Sequence, residues 1–313
     1  MTAPQRHDTA VALCCDQKFF PFALFMIWQI AHHNPLRTFD FVISSQDDLV
    51  VPDWAKHHGI VLHKTGAVPE GLDMSRYGSL ATLFRFMLAR ELGGRYRRIL
   101  YLDCDMFIEG GDFSRLLNVD LGPHPLGAVL DVPHLYVADY RSKEFTATGL
   151  AAKPYFNSGL QLIDTKAYVE QEVEQRACAM IWKYPQAIFY SDQSMLNLAL
   201  HGAFAQLAPC WNWQANGRLQ LLTLRYPVFA HHFIGPRKPD RDSSGQNGAR
   251  FNQAYRDFFA NFMPEMLAKI APPCDPTPLK VKEVAGLVIR HIVAAKLAAD
   301  LIARFPDPYQ AQV

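Results

Sequence analysis

The chain reads as an α/β protein with a Rossmann-like mixed, mostly parallel sheet flanked by helices, followed by a helical C-terminal extension. Three observations predict this. Short apolar runs with neither helical nor alternating period recur between residues 9 and 233. They alternate with stretches of helical length, as strands do in right-handed βαβ units. Beyond a cluster of prolines at 272–278 the composition changes and a helical period takes over. With 313 residues, the chain can bury a full core, and the sequence divides into residues 1–265 and an extension over 266–313 that contains that change.

Residues 9–15 (TAVALCC) are apolar and unperiodic, as in a strand buried on both faces. A turn at 16–18 leads to a helix over 21–32, and residues 38–44 (TFDFVIS) and 60–63 read as strands with a small helix around Trp54 between them. A helix over 80–92 stops at Gly93-Gly94, since glycine is favoured just past a helix end. It delivers the chain into residues 98–102 (RILYL), another buried strand, which ends on Asp103-Cys104-Asp105. Residues 126–131 read as a strand, and the loop over 134–155, with mixed charge and several aromatics, is a candidate lid or acceptor-facing segment. A strand over 159–164, helices over 166–182 and 192–200, and a last strand over 229–233 follow, and the polar residues 239–248 suggest a mobile loop.

Composition narrows the function. A net charge of +1 lacks the basic footprint of a nucleic-acid binder, so no nucleic-acid partner is expected. The six cysteines form no CxxC pair, which argues against zinc and disulfide frameworks and for reduced thiols in the cytoplasm. The polar start has no signal-peptide core and no stretch approaches a membrane span. Over residues 279–305, Val281, Val284, Val288 and Ile292 share a sector of about 80° at 100° per residue. Five basic residues there (Lys280, Lys282, Arg290, Lys296, Arg304) face only Glu283 and Asp300. That segment either lies on an anionic membrane surface or docks on the core.

The chemistry centres on Asp103 and Asp105. Two carboxylates at spacing two, leaving a strand, can converge on one hard divalent ion and leave its other positions to phosphate oxygens. Ligands of open α/β sheets bind beyond the carboxyl ends of the strands, where this pair sits. Residues 229–239 (FAHHFIGPRKP) put imidazole, glycine and lysine on one short loop, suited to a metal and a diphosphate. The plainer alternative is a structural histidine pair and a solvated Lys238. Phe156-Asn157-Ser158-Gly159 and Asp192-Gln193 offer amides and a carboxylate to sugar hydroxyls, although Asp192 also suits a helix N-cap.

Taken in order, LYLDCD, FNSGLQLID, SDQSMLNLAL and HHFIGPRKP resemble glycosyltransferase family 8, particularly its bacterial lipopolysaccharide galactosyl- and glucosyltransferases, over residues 9 to about 240. The resemblance implies a GT-A fold, a UDP-sugar donor (UDP-galactose or UDP-glucose), Mn²⁺ with Mg²⁺ as an alternative, retention of configuration, and a glycan or glycolipid acceptor such as a lipopolysaccharide core. It implies that Asp103, Asp105 and His232 bind the metal, His232 rather than His231 because it has the glycine at +3 and the lysine at +6. Gly235 and Lys238 resemble the diphosphate contacts, Asp16 the uracil contact and Arg85 the arginine on donor sugar or phosphate. Asn157, Asp131, Asp192 and Gln193 resemble the donor-sugar contacts, with Gln193 and Asp192 the catalytic candidates. Gln17-Lys18 and Asp240 depart from the family's usual residues. A nucleotidyltransferase, or a non-catalytic sugar-nucleotide-binding protein, is the competing reading; residues 14–21 hold no glycine for the phosphate loop of the former.

Overall fold

A computed structural model describes residues 6–68, 72, 81–215, 219–236, 238–242, 247–273 and 280–313. The chain opens with β1 (Thr9–Cys14), buried along its whole length, and turns into α1 (Phe20–His33), where Pro21 lies in the first turn and no amide hydrogen is needed. β2 (Asp40–Ser45), a 3-10 turn (Asp53–His58) and β3 (Val61–Lys64) follow. The expected helix over 80–92 is α2 (Ala81–Leu92), its start at Leu80 lying outside the described residues. β4 (Arg98–Leu102) and β5 (Met106–Ile108) flank the two aspartates, and α3 (Phe113–Leu117) is capped by the Asp112 carboxylate. Next come β6 (Leu126–Leu130), α4 (Lys143–Thr148), β7 (Phe156–Asp164), α5 (Thr165–Glu170), α6 (Val173–Lys183) and α7 (Ser191–Leu200). Short strands β8 (Ala205–Gln206), β9 (Trp213–Gln214) and β10 (Ala230–His232) precede α8 (Ala249–Phe262) and α9 (Val281–Ile302).

Seven strands form one sheet in the order β3-β2-β1-β4-β7-β6-β8. β1 pairs in parallel with β2 and β4, but β7 runs antiparallel to both β4 and β6, so the sheet is mixed. A strand buried on both faces carries the same apolar run in either direction, and its direction is therefore not written in its residues. β7 begins at Phe156, three residues earlier than the apolar run suggests, which places Asn157 and Ser158 inside the strand. The single helix expected over 166–182 is two, because Glu172 adopts a left-handed conformation (φ 52°) between α5 and α6.

A second sheet, β5-β10-β9, positions the site. β10 pairs antiparallel with β5, His232 opposite Met106, and in parallel with β9, His232 beside Gln214. Residues more than a hundred positions apart are thereby clamped together at the end of β4. An aromatic cluster of Phe25, Phe107, Phe233, Phe251, Tyr255, Phe258 and Phe259, joined by Met266 and Ile270, holds α8 against α1 and this sheet.

Part of the expected lid is anchored. Ser142 caps α4, and the fully buried Glu144 accepts hydrogen bonds from Tyr155 and Ser194, both 2.7 Å. In the expected loop over 239–248, Pro239–Arg241 form a 3-10 turn, and residues 243–246 lie outside the described residues. α9 buries Ala294, Ala298 and Leu301 against the core, with Ile302 packed partly buried beside them, while Val281, Val284, Val288, Ile289, Ile292 and Val293 are exposed. Among the described residues no helix is long and apolar enough to cross a membrane. The chain then returns to the core: Gln312 bridges to Gln206, and the Pro308 carbonyl accepts from the Trp211 indole (2.8 Å).

Candidate active site

The strand β4 ends on a turn in which Asp103 N donates to the carbonyl of Gly159 (2.8 Å), so β7 holds the first aspartate in place. Arg85, buried on α2, reaches Asp103 Oδ1 (2.9 Å) with one guanidinium nitrogen and Asp192 Oδ2 (3.1 Å) and the Ser158 carbonyl (3.0 Å) with the other. Its face stacks on the Tyr101 ring at 4.5 Å, and the Tyr101 hydroxyl donates to Asp103 Oδ1. Burial disfavours the guanidinium charge, but Asp103 and Asp192 more than offset that, and Arg85 holds its proton more firmly than a free arginine. Asp103 Oδ1 is thus occupied, and Oδ2 faces His232 Nε2 at 3.8 Å.

Asp105 sits across from it. Its Oδ2 pairs with Lys238 Nζ at 2.5 Å, and its Oδ1 is buried without a hydrogen bond among the described residues, His232 Nε2 lying 3.4 Å away. Burial pushes the Asp105 carboxyl up, but the His232 ring when it is protonated and the Lys238 ammonium oppose that and draw it below the usual carboxylate range. Lys238 also donates to the Phe233 carbonyl. Gly235 takes a left-handed turn (φ 78°) in that loop, and a Cβ there would meet nothing within 4 Å among the described residues. His231 points the other way, to Glu109 Oε2 (2.6 Å), as successive residues of a strand must.

The ligand atoms of Asp103, Asp105 and His232 lie within 4.8 Å of one another. Two features fit a divalent cation there. Asp105 Oδ1 is an orphaned buried oxygen, and Gly159 leaves the cradle open: a Cβ on it would meet His232 Cε1 at 2.3 Å and Asp103 Oδ2 at 3.0 Å. Carboxylate oxygens with one imidazole suit Mn²⁺, and the carboxylates alone suit Mg²⁺.

The other residues expected from the sequence divide. Asn157 Nδ2 donates to Gln193 Oε1 (3.0 Å), and Asn157 Oδ1 accepts from Asn212, which also contacts His232, so these amides adjoin the cluster of Asp103, Asp105 and His232. Asp192 does not cap α7; the chain enters through Ser191 in a left-handed conformation (φ 49°), and the carboxylate is turned to Arg85. Burial raises its pKa although Arg85 opposes the shift. Asp131, just past the end of β6, is half-buried beside Asn157, and desolvation pushes its carboxyl up to about 6. Asp16 follows β1 at the sheet edge where Leu13 pairs with Leu102, and its carboxylate accepts from Phe19 N (2.9 Å) at the turn into α1. Asn212 and the steric role of Gly159 carried no signal in the sequence, because both depend on neighbours distant along the chain. A separate cavity of about 300 Å³, lined by Trp28, Arg37, Trp54, His57 and Phe262 among others, holds none of the expected site residues.

The sequence profile described as glycosyl transferase family 8 matches residues 10–243. General stress protein A of Bacillus subtilis is 28% identical over 181 residues, 53% of this chain and 58% of that protein. The lipopolysaccharide glucosyltransferase WaaO of Escherichia coli is 31% identical over 172 residues, 52% of this chain and 49% of that protein. The chain thus spans about half the length of the curated relatives it matches. Among solved structures, the galactosyltransferase LgtC in complex with donor and acceptor sugar analogues superimposes with a TM-score of 0.65 and 19% identity, covering 83% of this chain and 100% of that one. This likeness shows that the fold is GT-A.

Proposed function

The chain belongs to glycosyltransferase family 8, and we propose that it moves a hexose, galactose or glucose, from a UDP-sugar to a glycan or glycolipid acceptor with retention of configuration. The observation that carries this reading is the convergence of Asp103, Asp105 and His232 beside Lys238 and Arg85. Asp103, Asp105 and His232 would hold Mn²⁺ or Mg²⁺, whose charge stabilises UDP as it departs. The charges support that need: three carboxylates (Asp103, Asp105, Asp192) against two cations (Arg85, Lys238) would repel a diphosphate unless a further cation were present.

Lys238 exchanges its pairing with Asp105 for the diphosphate, where negative charge develops, and Gly235 lets the backbone come close. Asp16 takes the uracil, and Arg85, Asn157 and Asp131 orient the donor. Gln193 and Asp192 lie nearest the reacting carbon in this reading. Gln193 is an amide and a poor nucleophile, so the acceptor hydroxyl attacks from the face that UDP leaves, and a departing phosphate oxygen takes its proton. Residues 1–265 carry this transfer, and residues 266–313 carry the contact with the membrane. The exposed apolar residues of α9, with Lys280, Lys282, Arg290 and Lys296, support peripheral attachment at the cytoplasmic face of an anionic membrane, where a lipopolysaccharide core sugar would be met.

UDP release is the test, measured across a panel of UDP-sugars with Mn²⁺ and then with EDTA. Slow, EDTA-sensitive hydrolysis of one donor is expected and would name the sugar. Absence of both hydrolysis and metal-dependent UDP binding would reject the reading.

A further inference from the structure

Asn212 is not among the residues the sequence nominates, yet a run of hydrogen bonds gives it a defined task. The backbone N–H of Ser158 donates to Gln193 Oε1 (3.2 Å), and a donor there requires that end of the Gln193 amide to be the oxygen. Asn157 must then present its Nδ2 to that oxygen (3.0 Å). Gly159 N, which donates to Asn157 Oδ1 (3.1 Å), demands the same orientation independently. Asn212 must therefore donate its Nδ2 to Asn157 Oδ1 (2.9 Å), which leaves its own Oδ1 facing His232 Nδ1 at 3.0 Å.

An amide oxygen only accepts, so His232 Nδ1 carries a proton. In the neutral ring Nε2 is then bare, with its lone pair toward Asp103 Oδ2 (3.8 Å) and Asp105 Oδ1 (3.4 Å). Every side chain in the series is buried, so reversing any one amide leaves buried donors or acceptors unpaired.

We propose that Asn212 is a positioning residue: anchored through Asn157 and Gln193 to two backbone amides, it holds His232 in the tautomer whose Nε2 can ligate a divalent cation. This rests on the metal reading of the site given above. It also couples the metal ligand to Gln193 through a buried path of fixed polarity.

The experiment is ¹⁵N NMR of histidine-labelled, metal-free protein at about pH 8.5, where an ordinary imidazole is neutral, with His232 assigned by the loss of its signals in His232→Gln. Wild type is expected to show a protonated Nδ1 and a bare Nε2. Asn212→Asp loses the donor to Asn157 Oδ1 but keeps an acceptor facing Nδ1 and retains the proton there; Asn212→Ala loses it. Titration of Mn²⁺ followed by EPR is expected to show roughly 10–100-fold weaker binding in Asn212→Ala. A wild-type His232 protonated at Nε2 overturns the proposal, as does an Asn212→Ala protein with the wild-type pattern and Mn²⁺ affinity. Should Asn212→Ala fail to fold, the wild-type and Asn212→Asp spectra decide. Wild type with the expected pattern but no affinity for Mn²⁺ would reject the metal reading and uphold the relay.

Discussion

At Gly159 the presence or absence of one carbon atom decides whether the site can exist. A methyl group there would press on His232 Cε1 and Nδ1 and on Asp103 Oδ2, all at 3.0 Å or less. Gly159→Ala is expected to cost about 1–3 kcal/mol in urea unfolding and to weaken Mn²⁺ binding at least roughly tenfold; unaltered affinity would contradict the crowding. Asp105→Ala removes one oxygen that has no hydrogen bond among the described residues and one paired with Lys238, whose ammonium keeps the Phe233 carbonyl, so the fold should survive by circular dichroism. Turnover should fall about 10²-fold or more and lose its response to metal. Asp103, Asp105, His232 and Lys238 were legible in the sequence, because carboxylate, imidazole and ammonium at short spacings leaving strands carry their chemistry locally. Gly159 and Asn212 were not, since their roles are set by His232, which is distant in sequence.

Among the elements, β10 shows what alternation decides. Its two histidines point to opposite sides, His232 to the aspartates and His231 to Glu109, which Arg250 also holds. α9 shows what the helical period leaves open. Its amphipathic character was readable, but the share of the helix docked on the core was not, because Ala294, Ala298 and Leu301 cover only one side of its C-terminal half. The exposed row supports vesicle binding. Replacing Lys282 and Arg290 with alanine should weaken partitioning onto phosphatidylserine vesicles about 5-fold each in a sedimentation assay. Indifference to both changes would remove the membrane contact. Point substitutions serve better than deleting residues 279–313, which would also strip the terminal residues from the core.

Those terminal residues belong to the stability of the molecule as a whole. Tyr309 packs against Trp211 (5.6 Å between ring centroids), accepts from Asp112 N (2.9 Å) and lies under Arg115, while Gln312 and Gln206 exchange backbone hydrogen bonds. Removing residues 308–313 would uncover Trp211, which is fully buried. A loss of about 2–4 kcal/mol is expected, read as a lower urea midpoint; an unchanged midpoint would show that the closing segment is ornamental to the core.

The sequence by itself determined the strand and helix succession, the aspartate pair at the end of a buried strand, the histidine-glycine-lysine loop and the family. Each is a matter of residue type at short spacing, where period and turn chemistry act. Only the tertiary structure decided that β7 runs antiparallel, that β5 and β10 pair so as to bring Asp105 to His232, and that Asn212 and Gly159 shape the space between them. The reason is physical. Strand direction, close approach and hydrogen-bond polarity are properties of pairs of segments remote along the chain, and neither member of such a pair carries the information alone.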